Sequence, residues 1–182
     1  SLLMDKQENI WAVAYQTGLF LIPKPMYNFE YACFNSDLIE GENSSCITSI
    51  IEDTENEVLW IGSDGSGLFK MARSAYYEVF NKENSNLHDN SIMSLSIDKR
   101  GDLWIASIHG GLSKRINDNS FKKLNLDGKI EGVQLTSLQY DSSRDLMYVG
   151  TNGHGLIILD AEKEEIIRII SDKINKWIGS IT

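Results

Sequence analysis

The sequence predicts an all-β protein built from a repeated unit of four antiparallel strands, and three observations carry that prediction. First, the stretch Leu59-Trp60-Ile61-Gly62-Ser63-Asp64-Gly65-Ser66-Gly67-Leu68 comes back along the chain. Trp11, Trp60, Trp104 and Tyr148 fall in one column, preceded by Ile10, Leu59, Leu103 and Met147. Further on stand Gly18, Gly67, Gly111 and Gly155, each followed by a leucine: Leu19, Leu68, Leu112 and Leu156. Second, the column aromatics are 49, 44 and 44 residues apart, the length of a four-stranded propeller blade. Third, apolar residues come in short runs rich in Ile, Leu, Val and aromatics, broken by Gly, Asn, Asp and Ser, without the period of a helical hairpin.

Each unit opens with a strand A, at 47–53, 92–98 and 135–141, with Ser49, Ser94 and Ser137 third in it. The same pattern returns at Ile178-Gly179-Ser180-Ile181, and Leu2-Leu3-Met4-Asp5 matches Ile50-Ile51-Glu52-Asp53. The units therefore run about 1–45, 46–90, 91–133 and 134–177, with 178–182 starting a fifth. A half-made first strand leaves backbone groups unpaired. The preferred reading is a piece of a longer array, and closure of the first unit by the C-terminal tail is the alternative. Asp53, Asp98 and Asp141 end strand A; a catalytic carboxylate is not needed in every unit, so these are turn caps.

Strand B carries the column aromatic between apolar neighbours, so both its faces are buried, as stacking between two sheets requires. Two places on, Gly62, Ala106 and Gly150 let a neighbouring sheet come close, although Val13 departs from this. The B–C connection varies and ends in the constant glycine, which supplies an unusual backbone angle or room for a passing chain. Strand C follows at 67–71 and 155–160. Strand D, at 27–34, 76–80, 120–124 and 164–170, is the least regular. The D–A connections, such as 81–90, are polar. Variable polar loops on a repeated frame are where specificity tends to sit.

Composition narrows the function. With 42% hydrophobic and 24% charged residues, the 182-residue chain reads as an ordinary folded protein. A net charge of −9 without any Lys/Arg cluster argues against a nucleic-acid partner. No run of apolar residues is long enough for a membrane span, and the first residues lack a signal-peptide pattern. Cys33 and Cys46, the two cysteines, are read as small buried hydrophobes, with a bridge between them as the alternative.

Ser63-Asp64-Gly65-Ser66-Gly67 and Thr151-Asn152-Gly153-His154-Gly155 look like phosphate-cradling loops. They fail the context test, because a strand stands on both sides where a helix is needed. His88, His109 and His154 are the three histidines, and His109 and His154 occupy near-equivalent loops. No HxH or HxxxH spacing supports a metal pair, so they are read as loop decoration. Two functional classes stay open. In a binding module, B–C and D–A loops converge on a polar ligand; the candidates are Gln16, Asp64, His109, Asn152 and His154, with Tyr15 and Trp177 as stacking surfaces. In a propeller enzyme of metal-assisted lyase type, His109 or His154 serves as acid or base with a divalent ion. The binding module is preferred over this enzyme and over a purely structural or oligomerisation propeller, with no catalytic residue, metal or cofactor expected.

The Leu59-Trp60-Ile61-Gly62, Gly67-Leu68 and Ile47-Thr48-Ser49-Ile50 patterns together resemble two-component regulator propeller repeats. The resemblance covers nearly the whole chain, departing at Val13 and Ala106, where glycine is usual, and at Tyr148, where tryptophan is. It implies part of a seven-bladed propeller on the periplasmic side of a hybrid two-component sensor, which reads a ligand, often a glycan fragment, and signals to a kinase. The implied partners are a small polar ligand and the remaining blades. Four units fit a closed small ring, a two-chain ring or an open arc, and self-association through blade edges is expected.

Overall fold

The computed structural model describes residues 2–14, 18–24, 30–32, 46–72, 77–117, 120–126, 128, 131–171 and 178–181. They form four antiparallel sheets of four strands each. The first holds β1 (Leu2–Met4), β2 (Ile10–Ala14), β3 (Gly18–Ile22) and β4 (Glu30–Ala32). The second holds β5 (Cys46–Asp53), β6 (Val58–Asp64), β7 (Leu68–Ala72) and β8 (Tyr77–Phe80). The third holds β9 (Ile92–Ile97), β10 (Leu103–Ser107), β11 (Gly111–Asn117) and β12 (Ser120–Lys123). The fourth holds β13 (Leu135–Asp141), β14 (Leu146–Thr151), β15 (Leu156–Asp160) and β16 (Glu165–Ile170). Every sheet runs in chain order, the A, B, C and D strands of the repeat. Cys46 is a half-buried free thiol; Cys33 lies outside the described residues.

The sheets stack through the alternation of strand B. Trp60, which is fully buried, faces forward with Leu68 and Phe80 onto Ile92, Leu103, Ile105 and Phe121 of the third sheet. Its neighbours Leu59 and Ile61 face back, onto Trp11 and Leu19 of the first sheet. Trp104 and Leu112 repeat the forward contact against Leu135, Met147, Val149 and Ile157. The small residues after the aromatic have the expected cause. A Cβ on Gly62 would stand 2.7 Å from Ile92 Cγ2, and one on Gly150 would stand 2.8 Å from Ile178 Cγ2. The constant glycine meets both expected demands: Gly67 has a φ of +89°, and a Cβ there would lie 2.2 Å from the Phe80 carbonyl oxygen.

Hydroxyls tie the inner strands together. Ser49 Oγ accepts from the Leu95 N–H at 3.0 Å, and Ser94 Oγ from the Leu138 N–H at 2.9 Å. Thr48 Oγ1 donates to the Ile92 carbonyl, and Thr136 Oγ1 donates to that of Ile178. Ile178 thus sits on the fourth sheet as Ile92 sits on the second. Among the described residues, 178–181 do not pair with the first sheet, and no extended contact joins the first sheet to the fourth. The outer face of the first sheet is correspondingly open, with Leu2 77% and Met4 66% exposed.

The strand-A aspartates do more than cap turns. Asp98 Oδ1 accepts from the Arg100 and Asp102 N–H groups at 2.9 and 3.1 Å, while Oδ2 accepts from the Trp104 indole at 2.9 Å. Asp5 repeats this with Gln7, Asn9 and the Trp11 indole, the last at 3.0 Å. Asp53 does so with Asn56 and, at 3.4 Å, Trp60. Asp141, whose unit has Tyr148 in place of tryptophan, turns its second oxygen to the Arg144 guanidinium instead. Burial pushes the Asp98 carboxyl up, but the hydrogen bonds from Trp104, Arg100 and Asp102 outweigh it and hold the group below its ordinary 3.8. Asp5 is lowered in the same way, its bonds from Asn9, Trp11 and Gln7 prevailing over burial.

The interface of the third and fourth sheets adds charge. Buried Lys114 holds its ammonium 4.7 Å over the Trp104 ring, 2.7 Å from Asp102 and 3.2 Å from Glu164. Arg100 bonds both Asp98 and Asp145, and Lys99 lies 2.9 Å from Asp145. With these partners and the Tyr140 hydroxyl, the Asp145 carboxyl is pushed down to about 2.

Trp60→Ala is expected to cost about 3–5 kcal/mol in denaturant melts through the cavity it leaves. Tyr148→Ala, at a half-buried forward position with no sheet described beyond it, is expected to cost under about 2 kcal/mol. Because Asp98 and Asp145 are lowered in the folded state, their stabilisation is complete above the ordinary 3.8 and lost as pH falls through the depressed values. Asp98→Asn and Asp145→Asn should therefore flatten the acid limb of stability against pH; an unchanged slope contradicts this.

Candidate functional site

The A–B turns with their aspartates lie at one end of the sheets, and the B–C and D–A connections meet at the other. Strand order dictates this, since antiparallel strands bring alternate connections to the same end. The sequence candidates belong to the second end. Asp64 closes β6, is exposed, and pairs as an isolated bridge with Ser91. The N–H groups of Gly65 and Gly67 both donate to the Asn90 carbonyl, at 3.0 and 2.9 Å, which seats the turn on the D–A connection of its own sheet. Tyr15, Gln16 and Trp177 lie outside the described residues.

His109 is the candidate with the most structure around it. Asp89 Oδ2 accepts from the His109 N–H at 2.6 Å and the Gly110 N–H at 3.0 Å, fixing the main chain. The imidazole stays 74% exposed, with Nδ1 3.7 Å from Asp89 Oδ2. It rims a cleft of about 300 Å³ lined also by Gly111, Lys123, Leu124, Asn125, Leu126 and Glu131. Leu124 and Leu126 are buried, giving the cleft an apolar floor beneath charged and amide groups. The Leu124 N–H donates to the Leu112 carbonyl at 2.9 Å, which holds that floor to the third sheet. Beside it, partial burial and then the Lys123 ammonium keep His88 below its ordinary 6.5, so it favours the neutral form.

Asn152 and His154 sit in the B–C turn of the fourth sheet, both exposed. The Asn152 N–H donates to the Gln134 carbonyl at 2.9 Å, and its side-chain amide to Gln134 Oε1 at 2.8 Å. The His154 N–H donates to Thr151 Oγ1 at 3.1 Å. Asp64, Asn152 and His154 share the end of the molecule with His109 but do not line its cleft. Among the described residues, no group of three or more His, Cys, Asp and Glu is placed to hold a metal ion.

Sequence reading missed Asp89, Lys123, Asn125, Glu131 and Gln134, because they lie in D–A connections and strand ends that do not align between units. It also missed one regular feature it had the means to find. Ser63, Ser107 and Thr151, one column past the small residue, donate to the carbonyls of Gly67, Gly111 and Gly155 at 2.8, 3.0 and 2.7 Å. These buried hydroxyls close every described B–C turn of the last three sheets with the same bond.

Comparison with known proteins agrees with the resemblance read from the sequence. Residues 86–109, which include His88, Asp89 and His109, match a family model described as two component regulator propeller. No curated protein matches the sequence. Among solved structures, the chain is similar to the extracellular domain of BT3049 of B. thetaiotaomicron, described as a hybrid two component system. The TM-score is 0.73 at 20% identity, over 89% of this chain and 21% of that one. It is also similar to the extracellular domain of BT4673 of B. thetaiotaomicron, described as a one component system, with TM-score 0.55 at 19% identity over 92% of this chain and 27% of that one. A third likeness is to the β-propeller domain of Myceliophteria thermophila Cps50 (Swd1), with TM-score 0.65 at 11% identity over 94% and 59%. These likenesses establish the fold as propeller sheets, and the chain spans about a fifth of the BT3049 domain.

Asp89→Ala removes the acceptor shared by two turn N–H groups and is expected to cost about 1–3 kcal/mol. Hydrogen exchange at His109 and Gly110 should rise in that variant while exchange in β10 and β11 is unchanged. Equal acceleration throughout the third sheet contradicts a local role.

Proposed function

We propose that this chain is the ligand-reading part of an extracytoplasmic propeller in a two-component sensor, without catalytic activity of its own. The observation that carries the reading is the cleft at His109. It lies where a B–C turn and a D–A connection meet, within and beside the segment that matches the two-component regulator propeller model. The likeness to B. thetaiotaomicron extracellular domains described as two component and one component systems supports the location and the role. A parent chain would carry further blades, a membrane anchor and a kinase output.

The ligand class proposed is a small polar molecule, such as a glycan fragment. His109, Lys123, Asn125 and Glu131 offer both donors and acceptors above an apolar floor, the usual make-up of a small-molecule site. Asp64, Asn152 and His154, at the same end, would meet the more distant parts of an extended ligand. Its arrival would tighten the B–C turns against one another, and the stacked sheets would carry that state to the next segment.

Calorimetry against an oligosaccharide panel tests the reading. One member of the panel is expected to bind, and His109→Ala with Lys123→Ala should weaken that binding at least tenfold, a loss of about 1.4 kcal/mol. Unchanged affinity in the double variant contradicts the site. The open outer face of the first sheet, with Leu2, Met4 and Ile10 exposed, is expected to drive self-association of the 182-residue chain. Light scattering should show species above the monomer that dissociate in Met4→Glu; a clean monomer at high concentration contradicts this.

A further inference from the structure

The two outermost faces of the stack are the two halves of the interface that the sheets make among themselves. Apolar clusters join the sheets, each built from the forward face of one and the backward face of the next. On the first sheet the backward positions are Ile10 and Ala12 in β2, with Ile22 and Phe20 paired to them in β3 and Met4 and Leu2 in β1. They match Leu59, Ile61, Met71 and Phe69, which are buried in the second sheet. On the fourth sheet the forward positions are Tyr148 and Leu156, both half-buried, which match the fully buried Trp104 and Leu112. We propose that the backward face of the first sheet docks, head to tail, on the forward face of the fourth sheet of a second copy of this chain.

Charges at the rim match these two faces to each other. Arg100, four residues before Trp104, donates to Asp98 of its own sheet at 2.8 Å and reaches forward to Asp145 of the fourth sheet at 3.0 Å. Asp145 stands three residues before Tyr148, with a left-handed φ of 57°. Arg144, four residues before Tyr148, repeats the donor: it holds Asp141 at 2.9 Å, and its side chain is 69% exposed against 31% for Arg100. Glu8, three residues before Trp11 with a φ of 63°, repeats the acceptor; it is exposed and pairs with Lys24. Docking the first sheet on the fourth as the fourth docks on the third brings Glu8 to Arg144. Ile158 stands beside Tyr148 where Lys114 stands beside Trp104, so the docked sheet needs no counterpart of Glu164.

The strand positions fit as well. Ile178 is seated on the fourth sheet, its N–H donating to the Thr151 carbonyl at 3.0 Å and its carbonyl accepting from Thr136 Oγ1. Residues 178–180 match 47–49 of strand A, whereas Leu2 of β1 matches Ile50. The seated segment of one copy and β1 of the other therefore line up along a single strand A, beside Val13 and Ala14, which β1 does not reach. Such a contact is heterologous, because it uses two different faces. Further sheets of a parent chain would occupy the same faces, so the proposal concerns the 182-residue chain by itself.

Sedimentation velocity on the 182-residue chain, with variants at the two rim charges, tests this. Arg144→Glu and Glu8→Arg each set like charges against one another and should each weaken self-association about tenfold. Circular dichroism should be unchanged, because both side chains lie in solvent. The double variant, and an equimolar mixture of the two single variants, should regain the association of the native chain, since every contact again joins opposite charges. Two first-sheet faces meeting each other would leave Arg144→Glu unchanged, and that result overturns the proposal. Weakening in the single variants without recovery in the double variant overturns it as well. So does a native chain that stays monomeric, an outcome that leaves the ligand reading to its own test by calorimetry.

Discussion

A buried indole needs somewhere to put its N–H, and that requirement organises this molecule. Trp11, Trp60 and Trp104 are buried between sheets, where an unpaired donor would be costly. Each finds an aspartate at the end of the preceding strand, and each aspartate spends its other oxygen on the turn that follows. One carboxylate therefore fixes the turn, the strand register and the orientation of the largest core side chain at once. Its own burial is tolerable only because both oxygens are occupied. Where tryptophan is replaced by Tyr148, the aspartate loses its inner partner and turns to Arg144.

Much of this was legible in the sequence, for a reason that particular residues make plain. Columns such as Trp60 with Leu68, or Gly67 with its left-handed backbone, impose the same steric demand in every unit, so repetition exposes them. The aspartate column was visible too, but its spacing to the aromatic is 6 residues in two units and 7 in two others. That drift hid the indole bond behind a simpler turn-cap role. The left-handed position three residues before the aromatic was hidden differently. Glu8, Glu57 and Asp145 hold it with φ between 56° and 63°, and Gly101 alone carries the residue type that announces such an angle.

The cleft was the least legible part, because it is made by what does not repeat. His109 could be placed in its loop from the repeat, but Asp89, Lys123 and Glu131 come from connections of differing length and register. Their juxtaposition depends on packing that no column records. The B–C turns illustrate the division of labour. Ser63, Ser107 and Thr151 give them a common closure, and Asp64, His109, Asn152 and His154 vary at the tip. A uniform frame under variable tips suits a surface that reads different ligands without changing its fold.

The central claim is that each indole N–H is bonded to its aspartate inside a stacked-sheet interface. Hydrogen exchange at the indole Nε1 sites, followed by NMR, addresses it most directly. Trp11, Trp60 and Trp104 should exchange only through large-scale opening, orders of magnitude slower than a free indole. Exchange of Trp60 or Trp104 at the rate of a solvent-exposed indole would contradict the account.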